Sequence, residues 1–314
     1  MRVAGAPRLS SAVSAPPLRK RLKRWLRAKL LSALLQVLRW LPLGWARALG
    51  RAAGGLAYHL ARGTRRLGER HLSVAFPEAD AAFVRRTLRA CFRGLGENLM
   101  ENVVAHRLDG RLAEYVAIEG EACLEAALAE GRGVIVVTAH LGNWELAARA
   151  LVARGREVVA IARRFHDPGL GRLVERHRAE GGVKTLLRGE RSTPFRMVRH
   201  LKRGGALFML VDQDTDVPSL FAPFFGRLAK TPRAPADLSL RLGAPVVAGF
   251  IERREGGHRL RFERIEAPRS GDAERDAVKL TEAINRAIEA EIRRRPADWV
   301  WFHRRWRTPP PPGA

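Results

Sequence analysis

The residues of this 314-residue chain whose types and spacing most directly suggest chemistry are His140 and Glu145, in Thr138-Ala139-His140-Leu141-Gly142-Asn143-Trp144-Glu145. The continuous apolar run Gly133-Val134-Ile135-Val136-Val137-Thr138 before them reads as a buried strand. Gly142 permits a tight turn and Asn143 is a good N-cap for a following helix. His140 is thus expected at the carboxyl end of a strand, where open α/β sheets bind ligands. Glu145, in the first helical turn, can fold back to hydrogen-bond the imidazole, fix its tautomer and stabilise the imidazolium. A histidine so held can take a proton from an alcohol, an effect worth about 100- to 10,000-fold. The same spacing also fits a histidine that merely ends a strand and a carboxylate that merely favours a helix N-terminus. No serine or cysteine lies nearby, so direct transfer onto a substrate hydroxyl is simpler than a covalent intermediate.

The elements that must position these residues alternate in the manner of an α/β domain. Helical periodicity covers about 79–105, 119–130, 144–154, 168–180, 193–203, 232–242 and 272–294. Strands are expected at 133–138, 157–161, 206–211, 246–251 and 260–263. The reading is a single mixed-sheet α/β domain over 63–308 with flanking helices, a disordered leader over 1–18, basic amphipathic membrane-anchoring helices over 19–62, and a tail at 309–314. Asp212 and Asp214 follow the strand 206–211 at another carboxyl end; two acids without a third ligand make a weak metal site. Phe221, Phe224 and Phe225 surround Pro223 in an expected loop, either lining a lipid-facing mouth or packing in the core. The two cysteines, Cys91 and Cys123, form neither a disulfide framework nor a metal pattern. Neither metal nor cofactor is expected.

The formal charge of +25 invites a nucleic-acid reading. Its distribution argues against one. Residues 1–68 hold 15 Lys or Arg and no acid, whereas the rest carries a milder excess of +10. Arg outnumbers Lys 50 to 7, as a GC-rich genome produces in any of its proteins. A basic start interleaved with Leu and Trp suits an anionic lipid surface better than a DNA groove. Leu30 to Leu38 is uncharged but too short to span a bilayer, which needs about 20 apolar residues. Two amphipathic pieces, about 22–40 and 45–62, are expected to lie at the interface, with Trp25, Trp40, Trp45 and Tyr58 at headgroup level. The alternative is a helical hairpin buried in the domain.

His140-x4-Glu145 resembles the His-x4-acid signature of the glycerolipid acyltransferase superfamily, and its glutamate form is similar to the late lipid A biosynthesis acyltransferases. The resemblance runs over about 25–308 through three further segments. These are His71-Leu72-x2-Ala75-Phe76-Pro77-Glu78; Asp212-Gln213-Asp214 with Phe221-Ala222-Pro223-Phe224-Phe225-Gly226; and Trp299-Val300-Trp301-Phe302-His303-Arg304-Arg305-Trp306. It implies transfer of an acyl chain from acyl carrier protein onto a hydroxyl of a lipid A precursor, at the cytoplasmic face of the bacterial inner membrane. His140 would be the general base and Glu145 its orienting partner. Arg164, with Arg178 as second choice, would steady the thioester oxyanion or substrate phosphates, because a guanidinium stays charged and donates in a fork. Asn143, Asp212, Asp214, Phe224, Phe225 and Arg304 would contact substrate, with Asp214 shaping the acceptor site; Arg304 could equally belong to a basic tail. Other acceptors (a phosphoinositol mannoside, a lysophospholipid or an aminolipid) share the motif. A non-catalytic basic membrane- or nucleic-acid-binding protein is the alternative of another class.

Overall fold

The computed structural model describes residues 29–312, apart from His166 and Pro268. The leader 1–18, the basic cluster at 19–24 and Trp25 lie outside the described residues.

A seven-stranded sheet organises the chain in the order β1-β9-β8-β2-β5-β3-β4. Its strands are β1 (Val116–Glu119), β2 (Val134–Thr138), β3 (Val158–Ala162), β4 (Lys184–Leu187), β5 (Ala206–Leu210), β8 (Val246–Arg254) and β9 (Gly257–Ile265). All neighbours are parallel except the antiparallel pair β8–β9. The central strands are apolar throughout because both faces are covered. Ile135 and Val137 of β2 point into one core with the helices α9 (Thr193–Lys202) and α11 (Ala273–Arg294). Val134 and Val136 point into the other, with α6 (Glu121–Ala129) and α7 (Trp144–Ala153). The period-two alternation of side chains along a strand divides the sequence between these cores. The other helices are α3 (Arg62–Ala75), α4 (Ala81–Val103), the short α5 (Leu112–Tyr115), α8 (Pro168–Glu180) and α10 (Ala234–Leu242).

The expected helices and strands are present within a few residues. The short edge strands β1 and β4 were outside the expectation, since neither offers four apolar residues in a row. The expected loop around Pro223 is instead a second, two-stranded sheet, β6 (Ser219–Phe224) and β7 (Arg227–Pro232). Its two-residue turn, Phe225-Gly226, has φ of 51° and 70°. A primed hairpin turn requires positive φ at both positions, which is costly for an aromatic residue. Two contacts and burial hold Phe225 there: its N–H donates to Glu289 Oε2 at 2.6 Å, Arg293 lies 4.7 Å over its ring, and its side chain is buried. Strand signals are hidden here because a proline and a turn without Asn or Asp interrupt them.

Residues 29–38 are helical (α1), and α2 (Leu43–Leu60) packs lengthwise on α4. The crossing is so close that a Cβ on Gly50 would sit 2.3 Å from the Gly96 carbonyl oxygen, and one on Gly54 2.1 Å from that of Phe92. Small residues therefore set this interface, and the segment 43–60 is part of the domain's packing as well as its surface. Tyr58 is buried against Phe92, so the headgroup-level position expected for it does not hold. The outer face of α2 keeps Trp45, Leu56 and Leu60 exposed, and the turn between α1 and α2 keeps Trp40 so. No helix among the described residues is long and apolar enough to cross a membrane.

Candidate active site

The parallel register of β2 and β5 places Thr138 opposite Leu210. His140 and Asp212 each lie two residues further on, at the same end of adjacent strands, and they meet. Asp212 Oδ1 accepts from His140 Nδ1 at 2.8 Å, while Oδ2 accepts the His140 backbone N–H and the Trp299 Nε1–H, each at 2.8 Å. Asp212 is fully buried. Burial opposes its ionisation, but the charge and hydrogen bond of His140, with His303 and Trp299, hold its carboxyl well below the usual range. With Nδ1 donating to this carboxylate, Nε2 carries the lone pair; the Gln213 amide nitrogen lies 3.3 Å from it.

Glu145 is not the imidazole's hydrogen-bond partner, which corrects the expected pairing across the turn. It accepts a fork from Arg178, Nε to Oε2 at 2.8 Å and Nη2 to Oε1 at 2.5 Å. The reason is geometric. The Glu145 side chain leaves the first turn of α7 toward α8, where a guanidinium offers two parallel donors. Burial works against the Glu145 charge, but Arg178, then His177 and His140, outweigh it and lower its pKa.

The turn between these residues is clamped by the carboxyl-terminal segment. Gly142 donates to the Asp298 carbonyl at 3.0 Å and Val300 to that of His140 at 3.0 Å. Gly142 has φ of 61°, and a Cβ there would stand 2.2 Å from the Ile251 carbonyl oxygen, so no other residue fits. Asn143 caps α7 by accepting from Leu146 N–H and is buried, where its Nδ2 donates to Glu101 Oε2 at 2.8 Å. Glu101 is a hub that composition could not reveal. It accepts also from Tyr115 Oη at 2.6 Å, from both terminal nitrogens of Arg253 at 2.8 and 2.9 Å, and stands 2.9 Å from His258 Nε2. Burial disfavours its charge, yet the bonds and charges of His258 and Arg253 prevail, so Glu101 stays ionised far below the usual range.

Several residues expected at substrate have other partners. Asp212 is enclosed by His140 and Trp299 and offers no free oxygen. Asp214 is pinned in the tail, accepting Thr308 N–H at 2.7 Å and Thr308 Oγ1–H at 3.1 Å, so it ties down the chain end. Phe224 and Phe225 are buried among Trp299, Trp301 and Phe76, in the core rather than at a lipid mouth. Arg164 is exposed and pairs with Glu190 at 2.7 Å. Arg304 is exposed in a groove with Arg70 and Trp306, apart from the His140 turn. Its neighbour Arg305 is fully buried, donates to the Lys230 carbonyl and Thr231 Oγ1, and lies 4.7 Å from the Phe224 ring centroid. Burial draws its pKa down to about 10.

Beside this turn opens a mainly apolar cleft of about 290 Å³ between α1, α4 and α8. Leu35, Leu99, Phe165, Leu170 and Val174 line it, with Trp144, Glu145 and Arg178 in one wall. The Trp144 ring lies 5.1 Å from that of His140. A carboxylate-held imidazole next to a cleft suited to alkyl chains is equipment for proton transfer beside an apolar substrate.

The fold and this site define an α/β protein equipped for proton transfer beside an apolar cleft, and comparison of the whole chain gives its family. Residues 16–308 match the bacterial lipid A biosynthesis acyltransferase family, and the chain belongs to it. It is an acyltransferase. Among its relatives, a lipid A biosynthesis palmitoleoyltransferase of Escherichia coli is 28% identical, covering 83% of this chain and 85% of its own. A lipid A biosynthesis lauroyltransferase of the same organism is 25% identical over 83% and 85%. A phosphatidylinositol mannoside acyltransferase of Mycolicibacterium smegmatis is 26% identical over 83% and 86%.

Proposed function

We propose that this enzyme transfers a fatty acyl chain from an acyl carrier protein thioester onto a hydroxyl of a lipid A precursor, at the cytoplasmic face of the inner membrane. Transfer onto a glycolipid hydroxyl is what the relatives' acceptors have in common. The observation that carries the chemistry is His140 Nδ1 on buried Asp212 at 2.8 Å, with the apolar cleft alongside. In this reading Nε2 of His140 takes the proton of the acceptor hydroxyl as its oxygen attacks the thioester carbonyl. Asp212, and Glu145 through space, stabilise the imidazolium. Arg178, with two of its nitrogens held by Glu145, keeps Nη1 to donate to the oxyanion; Glu145 is then a positioning residue for Arg178. The carbonyl re-forms as the carrier thiolate leaves and takes the proton back from His140. The acyl chain occupies the cleft. The exposed face of α1 and α2, together with the basic residues preceding it, rests on the membrane surface.

His140→Ala should lower kcat for acyl transfer from acyl carrier protein to the precursor by about 100-fold or more, with the fold retained by circular dichroism. Near-normal turnover by this variant with purified donor and acceptor would refute the base assignment. Wild-type protein that acylates a phosphatidylinositol mannoside, but not the lipid A precursor, would move the acceptor to that class.

A further inference from the structure

On the other side of the His140 turn lies a second groove, of about 430 Å³, with a very different lining. Arg86, Arg89 and Arg93 from α4 line it, with Arg51 from α2, Arg253 from β8, and Gly142 and Asn143 of the catalytic turn. Arg86, Arg89 and Arg93 fall at i, i+3 and i+7, one face of the helix. All three are exposed, and none pairs with a carboxylate among the described residues. The groove's two acids are already engaged. Glu97 accepts from Arg47 at 2.9 Å and from Arg51 at 3.0 Å, and Asp298 from Arg295 at 3.0 Å. What remains is a concave surface with three uncompensated guanidinium groups, walled by the same Gly142-Asn143 that borders the acyl cleft.

We propose that this groove binds a phosphate group of the glycolipid acceptor and so determines which hydroxyl reaches His140. Guanidinium is the side chain best matched to phosphate, through paired donors at fixed geometry. The cavity has the volume of a phosphorylated sugar and not the flat extent of a protein-docking face. Helix α4 connects the two sites. Its residues from Arg86 to Asn98 line the groove and those from Leu95 to Val103 the cleft, the two sharing Asn98, with Arg89 and Leu99 about 15 Å apart along the axis. An acceptor held by its phosphate at one end of α4 is thereby aimed at an acyl chain lying at the other. The donor's own phosphodiester is the competing source of the same chemistry.

This proposal rests on the glycolipid-acceptor reading, and the test separates the two. The triple variant Arg86→Gln/Arg89→Gln/Arg93→Gln is assayed in neutral detergent micelles with a phosphorylated acceptor and with its dephosphorylated form. The expected result is an acceptor KM raised about tenfold or more for the phosphorylated form only, with the acyl group spread over more than one hydroxyl of that product and donor KM unchanged. An unchanged acceptor KM, an equal change for both acceptors, or a rise in donor KM instead would overturn it. Should wild-type protein acylate neither glycolipid, the acceptor reading has failed. Calorimetric titration with a phosphorylated glucosamine disaccharide then decides the groove alone. Binding lost in the triple variant upholds the phosphate site; equal binding, or none to wild type, removes it.

Discussion

Replacing Asp212 by Asn tests the arrangement at its most constrained point. The aspartate accepts three donors with two oxygens: the His140 and Trp299 N–H groups at Oδ2, and His140 Nδ1 at Oδ1. An asparagine has one oxygen, and it satisfies more bonds by facing the pair formerly at Oδ2. Its amide NH2 then points at Nδ1 of His140, which must accept and not donate. The ring proton moves to Nε2, the nitrogen required to be a base. The shape is kept and the tautomer reversed, so kcat should fall about 1,000- to 10,000-fold, or roughly 4–5.5 kcal/mol at 1.36 kcal/mol per decade. The acceptor and donor KM values should change little, because Asp212 is fully buried and touches neither. The assay is single-turnover transfer of labelled acyl chain from acyl carrier protein, with the thermal melt as a control for folding. Glu145→Gln run in parallel gives the contrast: it weakens the hold on Arg178 without altering the tautomer. If Asp212→Asn keeps activity within about tenfold of wild type, while Glu145→Gln loses nearly all, the imidazole's working partner is Glu145 and the geometric argument is wrong.

Three other outcomes follow from the packing. Glu101→Gln leaves Arg253 facing a neutral amide in a buried network, which should cost about 3–5 kcal/mol in a denaturant melt. Because the Glu101 pKa is depressed on folding, its contribution is complete above the unfolded value of 4.5 and is lost as pH falls below it. The variant's stability should therefore decline less than that of wild type below pH 4.5, and parallel declines would contradict the linkage. Gly54→Ala gains about 1 kcal/mol of helix propensity but drives a Cβ to 2.1 Å from the Phe92 carbonyl oxygen, a backbone atom that cannot rotate away. A net loss of about 1–3 kcal/mol is expected, and a raised melting temperature would show that α2 and α4 are not in close contact. Changing Trp40, Trp45 and Leu60 to Ser removes exposed apolar side chains each worth about 1.5–3 kcal/mol on burial, so flotation with phosphatidylglycerol vesicles should drop sharply. Unchanged flotation would show that the membrane contact lies elsewhere.

Much of the fold was legible because it depends on local periodicity. The apolar runs 134–138 and 206–210 announce strands buried on both faces, and Gly142 with Asn143 announces the turn and cap that follow. The amphipathic pattern of 273–294 likewise marks α11 without help from its neighbours. The edge strands β1 and β4 and the β6–β7 hairpin escaped, since their apolar content is broken by charge, proline or an uncommon turn pair, and sheet pairing stabilises them instead. The anchoring role expected for about 45–62 left out an inner face, because Gly50 and Gly54 signal close helix packing only once Gly96 of α4 is known to lie opposite.

By itself, the sequence determined that a histidine stands at a strand's carboxyl end with a carboxylate five residues on, and it carried the motifs of an acyltransferase family. It could not decide which carboxylate the imidazole meets. His140 and Asp212 are 72 positions apart and become neighbours only because β2 and β5 pair in parallel with Thr138 opposite Leu210. Glu145, close along the chain, is drawn instead to Arg178 on α8. Hydrogen bonding depends on distance and direction in space, and strand order sets those independently of separation along the chain.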